Sequence, residues 1–182
     1  MRGYINVFQH YLTNPTNLLR QIRMTNHAVE LAEPFVFVIG PPRSGTTLMH
    51  RLLMNHSRLT GFEEETALFS LRSVADFQRF SHFVSDVQHR EALLGAASLA
   101  EFCLRLHEIA LKRPKGGRYV EKTPQHAKWL HYIAARFPNA QFIFCVRDPR
   151  DTYCSALASE VIPQSKHLHK HVNYFNACTI GL

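Results

Sequence analysis

The residues best suited to chemistry lie in one short stretch. Gly40-Pro41-Pro42-Arg43-Ser44-Gly45-Thr46-Thr47 follows an apolar run from Phe35 to Ile39 and precedes Leu48, Met49, Leu52 and Leu53. The first run is rich in β-branched and aromatic residues and reads as a strand, while the later four share one side of a helix. A tight loop between strand and helix points backbone N–H groups, and the positive end of the helix, at one place. Such a place binds phosphate. Gly40 and Gly45 have the G-x-x-x-x-G spacing of a Walker A loop, and Thr47 stands at its hydroxyl position. Thr46 occupies the position of the lysine that a triphosphate-using enzyme directs at the β- and γ-phosphates. Here the cation has moved inside the loop, as Arg43. That arrangement suits a phosphate-bearing donor handled without the usual metal.

Two further segments end in polar residues. Tyr119-Val120-Glu121-Lys122 reads as a strand end, and Thr123-Pro124 as the N-cap and first residue of a helix carrying Trp129, Ile133 and Phe137. Gln141 to Val146 is a nearly continuous apolar run, the pattern of a strand buried on both faces. It stops at Arg147-Asp148-Pro149-Arg150-Asp151, and a helix follows through Tyr153, Ala156 and Leu157. In an open parallel sheet, ligands bind beyond the carboxyl ends of the strands, so these polar ends belong to one edge. Arg147 and Ser155, eight residues apart, can bring a guanidinium fork and a hydroxyl to one phosphate. Alternatively, Arg147 pairs with Asp148 or Asp151 and Ser155 only packs. The spacing leaves both open.

The remaining elements must hold that edge together. Residues 1–33 read as a helical arm, with Leu18, Leu19, Ile22, Val29 and Leu31 as its stripe, Thr16-Asn17 as its cap and Glu33-Pro34 as its end. Asn55-His56-Ser57 stops the helix after the loop. Glu63-Glu64-Glu65-Thr66 then reads as the acidic start of a helix through Leu68, Leu71, Val74, Ala75 and Phe77, with another beginning near Ser81. Ser98 and Glu101 form a capping box before a buried stripe of Leu99, Phe102, Cys103, Leu106, Ile109 and Ala110. Lys112 to Arg118 is a basic, solvated turn. The order strand–loop–helix, extra helices, strand–helix, strand–helix predicts an α/β fold with a parallel sheet flanked by helices.

Composition narrows the partners. The 182 residues allow one domain with a real core, and 46% apolar with 19% charged residues is an ordinary globular balance. Lys and Arg (21) exceed Asp and Glu (14), a formal charge of +7 that favours an anionic ligand. The basic residues form no tract of the kind a nucleic-acid-binding arm shows, so nucleic acid is not the expected partner. Cys103, Cys145, Cys154 and Cys178 show no C-x-x-C spacing and read as free thiols in a reducing compartment. No stretch approaches a membrane span of about 18 apolar residues. His126 reads as a helix-surface residue near the site. His167, His169 and His171 form H-x-H-x-H, a metal-capable spacing on a strand face, but the interleaved Lys166 and Lys170 favour a solvated segment.

Taken together, Pro42-Arg43-Ser44-Gly45-Thr46-Thr47-Leu48, Glu121-Lys122-Thr123-Pro124 and Val146-Arg147-Asp148-Pro149-Arg150-Asp151 with Ser155 resemble the sulfotransferases that use 3′-phosphoadenosine 5′-phosphosulfate (PAPS). The resemblance covers roughly residues 35–160. It implies a three-layer P-loop fold, incomplete at the C-terminus, with an N-terminal arm over 1–33 and a partial sulfotransferase-like domain over 34–182. It implies a 5′-phosphosulfate loop at Pro42, Arg43, Ser44, Gly45, Thr46 and Thr47, and a 3′-phosphate site at Arg147 and Ser155. The sequence looks closer to the bacterial-type, carbohydrate and tyrosylprotein branches than to the cytosolic aryl and steroid branch. The tyrosylprotein branch has a glutamate base in a Gly-Glu-Glu-Thr stretch, which Glu64-Glu65-Thr66 resembles. Glu65 is therefore the first candidate base and Glu64 the second, and Lys122 matches that branch's lysine.

These roles make physical sense. Sulfuryl transfer needs positioning and charge stabilisation above all. Arg43, the loop N–H groups and the two threonines would hold the 5′-phosphate, Lys122 would neutralise charge on the sulfuryl group and bridging oxygen, and Glu65 would take a proton from an acceptor hydroxyl or amine. The scheme requires no metal. Members of the family extend well beyond the equivalent of Leu182, so the donor contacts are expected here and the acceptor pocket and lid are expected to be incomplete. The alternatives are a truncated, non-catalytic nucleotide-binding domain and, further off, an atypical P-loop kinase. A cytoplasmic location is expected, or the Golgi lumen if a membrane anchor precedes the chain.

Overall fold

A computed structural model describes residues 28–69, 74–159 and 168–179. Four strands, β1 (Val36–Ile39), β2 (Leu59–Gly61), β3 (Arg118–Lys122) and β4 (Gln141–Phe144), form one sheet in the order β2-β3-β1-β4, and every pairing is parallel. The helices are α1 (Thr46–Met54), α2 (Asp86–Gly95), α3 (Leu99–Ala110), α4 (Leu130–Arg136), α5 (Pro149–Ser159) and α6 (Leu168–Thr179), with 3₁₀ turns at Phe77–Arg79 and Pro124–Trp129. β1 is central. The chain leaves it toward β2 and later returns to its other side as β4, so the order reverses at the loop that follows β1. Crevices at such a reversal are where open α/β sheets bind ligands.

The alternation of strand side chains divides the core in two. Val36, Val38 and Val120 face Met49, Leu53 and Met54 of α1. Phe35, Phe37, Ile39 and Tyr119 face the other way, into a larger cluster with Phe102, Cys103 and Leu106 of α3, Ile133 of α4 and Phe137. The Phe37 ring lies 5.3 Å from Phe137 and 5.4 Å from Phe142, and Phe35 lies 5.5 Å from Tyr119. Helices thus cover both faces, as the predicted three-layer α/β architecture requires. Register has a consequence for the site. Phe37 pairs with Glu121 and Val38 with Lys122, so these two neighbouring charged side chains belong to opposite faces of the sheet.

Several local expectations change. Leu18, Leu19 and Ile22 of the expected arm lie outside the described residues, but Val29 and Leu31 are not helical. The Val29 N–H instead donates to the Arg136 carbonyl at 2.7 Å, and Asn139 Nδ2 donates to the Leu31 carbonyl at 2.6 Å. β2 was not foreseen, because a three-residue strand leaves almost no pattern. Among the described residues no helix follows the three glutamates: residues 62–69 form bends and turns, Leu71 lies outside the described residues, and Phe77 starts a 3₁₀ turn. The helix expected near Ser81 begins at Ser85, which forms a reciprocal capping box with Gln88. At α3, Ser98 Oγ accepts from the Glu101 N–H as expected, but the Glu101 carboxylate turns to the N–H of Ala97. The strand expected to be buried on both faces is an edge strand, with Phe142 to Phe144 half-buried and Val146 65% exposed. All four cysteines are free.

Two measurements test this packing. Gly61 lies so close to β3 that an added Cβ would stand 2.2 Å from the Val120 carbonyl oxygen. Gly61→Ala should therefore destabilise the fold by about 2 kcal/mol or more, a fall in Tm of about 4–8 °C, in a thermal melt. His107 is fully buried beside Phe35 and Tyr119, with Nδ1–H on the Cys103 carbonyl at 2.8 Å. Burial, opposed by that bond, pushes its pKa down to about 4. The unfolded chain takes up the proton near pH 6.5, so His107 contributes stability above pH 6.5 that is lost as pH falls toward 4. His107→Leu should flatten this slope, by up to about 3 kcal/mol over the window, in denaturant titrations at pH 7 and pH 4.5.

Candidate active site

The loop after β1 is built from unusual backbone. Gly40 has φ 143°, Arg43 φ 70° and Gly45 φ 98°. At Gly40 a Cβ would stand 2.4 Å from the Cys145 carbonyl oxygen, so both conformation and space demand glycine. The Gly40 N–H donates to the Pro124 carbonyl at 3.3 Å, and the Ser44 N–H closes a turn on the Pro41 carbonyl at 3.2 Å. α1 then starts at Thr46, and Gly45 at its N-cap offers no side chain to the first-turn amides. Those N–H groups are left for another acceptor. Pro42 is half-buried, Thr46 buried and Thr47 exposed. Ser44 Oγ is buried without a partner among the described residues. An orphaned hydroxyl, uncapped amides and Arg43 are together a donor set that fits an anionic group.

The second proposed phosphate site meets the first. Arg43 Nε donates to Ser155 Oγ at 3.0 Å, across 112 residues of sequence. Ser155 is thus turned toward the loop. Arg147 Nε lies 3.5 Å from Asp151 Oδ2, with both side chains about half exposed, while Asp148 is held by Arg150 at 2.7 Å. Of the alternatives open from spacing, the Arg147–Asp151 pair forms, but Ser155 is not idle packing.

The third polar end lies beside them. Lys122 is 5% exposed, and its Nζ is 3.4 Å from Glu65 Oε1. Glu63 and Glu64 are exposed, and among the described residues Glu65 is the member of the run that meets Lys122. His50 on α1 is also buried here, with Nε2 unpartnered among the described residues, and its pKa is lowered by burial first and by Lys122 second.

On the opposite face of β3, Glu121 is buried within a polar cluster that the sequence reading missed. Its Oε1 accepts from Thr66 Oγ1 at 2.5 Å and from Thr123 Oγ1 at 2.9 Å, and its Oε2 accepts from His126 Nδ1 at 2.9 Å. Burial works to raise the Glu121 carboxyl, but the hydrogen bonds from His126, Thr66 and Thr123 outweigh it and hold its pKa below the usual carboxylate range. His126 is not a helix-surface residue. The turn that carries it is 3₁₀, with Pro124, His126 and Ala127 on its buried side, and the ring is 1% exposed. Thr123 precedes that turn as expected, but its hydroxyl caps nothing, being committed to Glu121. The clue available in sequence was the strand alternation, which places a charged residue on the core face next to Tyr119.

Among the described residues the histidine run gives no shared metal face. His167 lies outside the described residues, and His169 and His171 are two residues apart on α6, hence on different sides of it. His171 is buried against Thr152 Oγ1 at 3.2 Å. Among the described residues, no helix is long and apolar enough to cross a membrane.

The chain is similar to known proteins over most of its length. The sequence model of the Sulfotransferase family matches residues 34–178. The chain is 32% identical over 136 residues to a protein-tyrosine sulfotransferase of Drosophila melanogaster, covering 70% of this chain and 26% of the relative. It is 30% identical over 131 residues to human protein-tyrosine sulfotransferase 1, covering 70% and 35%. It is also 30% identical over 127 residues to the nodulation protein NoeE of Sinorhizobium fredii, covering 62% and 28%. The chain thus spans about a quarter to a third of the length of these relatives. Among solved structures, the sulfotransferase domain of the Synechococcus PCC 7002 olefin synthase superposes with a TM-score of 0.59 at 17% identity, over 85% of this chain and 62% of that one. A strand–loop–helix with an arginine inside the loop and no Walker lysine, on a parallel sheet of this order, and a family match over nearly its whole described length place the chain in the sulfotransferase family.

Proposed function

We propose that this chain moves a sulfuryl group from PAPS to a hydroxyl acceptor, with Glu65 as the general base. The observation that carries the proposal is the contact between Glu65 and the buried Lys122 at the carboxyl edge of the sheet, beside the anion-ready loop. In this reading the loop amides, Ser44, Thr46, Thr47 and Arg43 hold the 5′-phosphosulfate, and Arg147 and Ser155 bind the 3′-phosphate. Two anionic groups on one donor then require two cationic positions, which Arg43 and Arg147 supply.

The reaction breaks the bond between sulfur and the oxygen bridging to the 5′-phosphate. It forms a bond between sulfur and the acceptor oxygen. The acceptor's proton passes to Glu65, and 3′-phosphoadenosine 5′-phosphate leaves. Negative charge grows on the bridging oxygen as the bond breaks, and a lysine withdrawn from water stabilises it more strongly than an exposed one would. Lys122, at 5% exposure, has that character. Glu65 supports the role of base better than Glu64 because its carboxylate stands against Lys122, where the transferring group must pass. An amine acceptor fits the same proton transfer. The similarity to protein-tyrosine sulfotransferases makes a phenolic hydroxyl on a protein or peptide the first acceptor to try.

A donor-dependent sulfation assay with a tyrosine-containing acidic peptide tests the proposal. Lys122→Ala should lower kcat by about 10²–10³, and Glu65→Gln by about 10²–10⁴. Arg43→Ala should weaken binding of 3′-phosphoadenosine 5′-phosphate by about 10–100-fold, the effect of losing a charged hydrogen bond. Turnover that survives both Arg43→Ala and Lys122→Ala would contradict this site.

A further inference from the structure

The buried cluster on the far face of β3 has no part in the chemistry just described, yet it grips the segment that carries the base. We propose that Glu121 is a positioning residue for Glu65, acting through a relay of Thr66, Thr123 and His126 that clamps residues 66–69 at the sheet edge. The proposal rests on the reading of Glu65 as the base.

The hydrogen bonds leave little freedom of interpretation. Glu121 accepts from three donors, and each donor in turn accepts from one backbone N–H. The Thr66 hydroxyl gives its hydrogen to Glu121 and accepts from the Leu68 N–H at 3.3 Å. The Thr123 hydroxyl gives its hydrogen to Glu121 and accepts from the Ala67 N–H at 3.2 Å. His126 donates from Nδ1 to Glu121 and accepts at Nε2 from the Phe69 N–H at 3.2 Å. The polarity of every link follows from the inventory of each group: a hydroxyl has one hydrogen, and an imidazole that accepts at Nε2 must donate at Nδ1. One carboxylate therefore fixes the N–H groups of three successive residues. The Ala67 carbonyl is held as well, by Arg79 Nη2 at 2.8 Å, and Ala67 itself sits at φ 49°.

This clamp explains why no helix starts at the glutamates, since the amides a helix would use are committed elsewhere. It also explains how Glu65 comes to Lys122. Glu121 and Lys122 are neighbours on β3 pointing to opposite faces, so the segment crosses the strand's end. Residues 66–69 are held on one face and Glu65 meets Lys122 on the other. Thr66, Thr123, Glu121 and His126 are all at most 3% exposed, so the clamp is out of reach of acceptor and donor, and its influence on the reaction runs through Glu65.

The test is a double-mutant cycle on the full chain, with kcat, KM for donor and Kd for 3′-phosphoadenosine 5′-phosphate as readouts. Thr66→Val keeps the shape and removes the hydroxyl, and Thr66→Ser restores it. Glu121→Gln keeps the shape but puts an N–H₂ against a donor whichever way it turns. Thr66→Val and Glu121→Gln should each lower kcat about 10–100-fold and leave donor KM and nucleotide Kd within about threefold, while Thr66→Ser stays near wild type. In a Glu65→Gln background, Thr66→Val should cost no more than about twofold, because there is no base left to misplace. The same full loss in that background overturns the proposal while leaving the base assignment standing. Wild-type turnover by Glu65→Gln overturns the base assignment and this inference with it. Amide exchange provides a check independent of turnover: Ala67, Leu68 and Phe69 should exchange slowly in the wild type and at least tenfold faster in Glu121→Gln. Unchanged protection there overturns the clamp.

Discussion

A single buried carboxylate imposes the order of the sheet's carboxyl edge. An ionised glutamate withdrawn from water costs several kcal/mol unless its oxygens are fully hydrogen-bonded. Glu121 meets that demand with two hydroxyls and an imidazole, and each of these must be held in place to serve it. Holding them draws in the backbone of residues 67–69. The stretch at residues 66–69 is therefore not shaped by its own sequence preference. It is shaped by a charge more than fifty residues later in the chain, and the position of Glu65 follows from it.

The sheet makes this possible through parity. In a strand, adjacent residues point to opposite faces. Glu121 therefore enters the aromatic core with Tyr119 and Phe37, while Lys122 faces α1 with Val38 and Val120. The chain uses one face for architecture and the other for charge at the carboxyl edge of the sheet. β1 stands between β3 and β4, which brings the loop at Gly40–Thr47, the Lys122 end of β3 and the Arg147 segment after β4 to the same end. The Arg43–Ser155 bond expresses that convergence directly.

Much of this was legible in the sequence, and the rest was hidden for physical reasons. β1, α1, α3 and the β3 and β4 segments were readable because each combines an apolar pattern with a strong boundary signal such as Gly-Pro, Ser-x-x-Glu or Arg-Asp-Pro. The candidate roles of Lys122 and Glu65 came from a motif resemblance, while the contact between them is visible only in the structure. The segment after Glu65 was misread as a helix because acidic residues followed by Leu68, Leu71 and Val74 satisfy helical periodicity. Side chains remote in sequence take its amides instead, and local patterns carry no trace of that competition. His126 was misplaced for a related reason: a helix-surface reading assumed an α-helical turn, whereas the 3₁₀ turn buries that position. β2 is too short to show a period, and the close approach of Gly61 to β3 is visible only in the structure.

The central proposal is that the loop, with Arg147 and Ser155, reads a donor carrying both a 5′- and a 3′-phosphate. It is tested most directly by calorimetric titration of the folded chain, in the presence of a chelator, with 3′-phosphoadenosine 5′-phosphate and with adenosine 5′-monophosphate. Two charged phosphate sites predict metal-independent binding of the first, at least about tenfold tighter than the second. Equal affinity for the two nucleotides, or binding that appears only with Mg²⁺ and ATP, would contradict it.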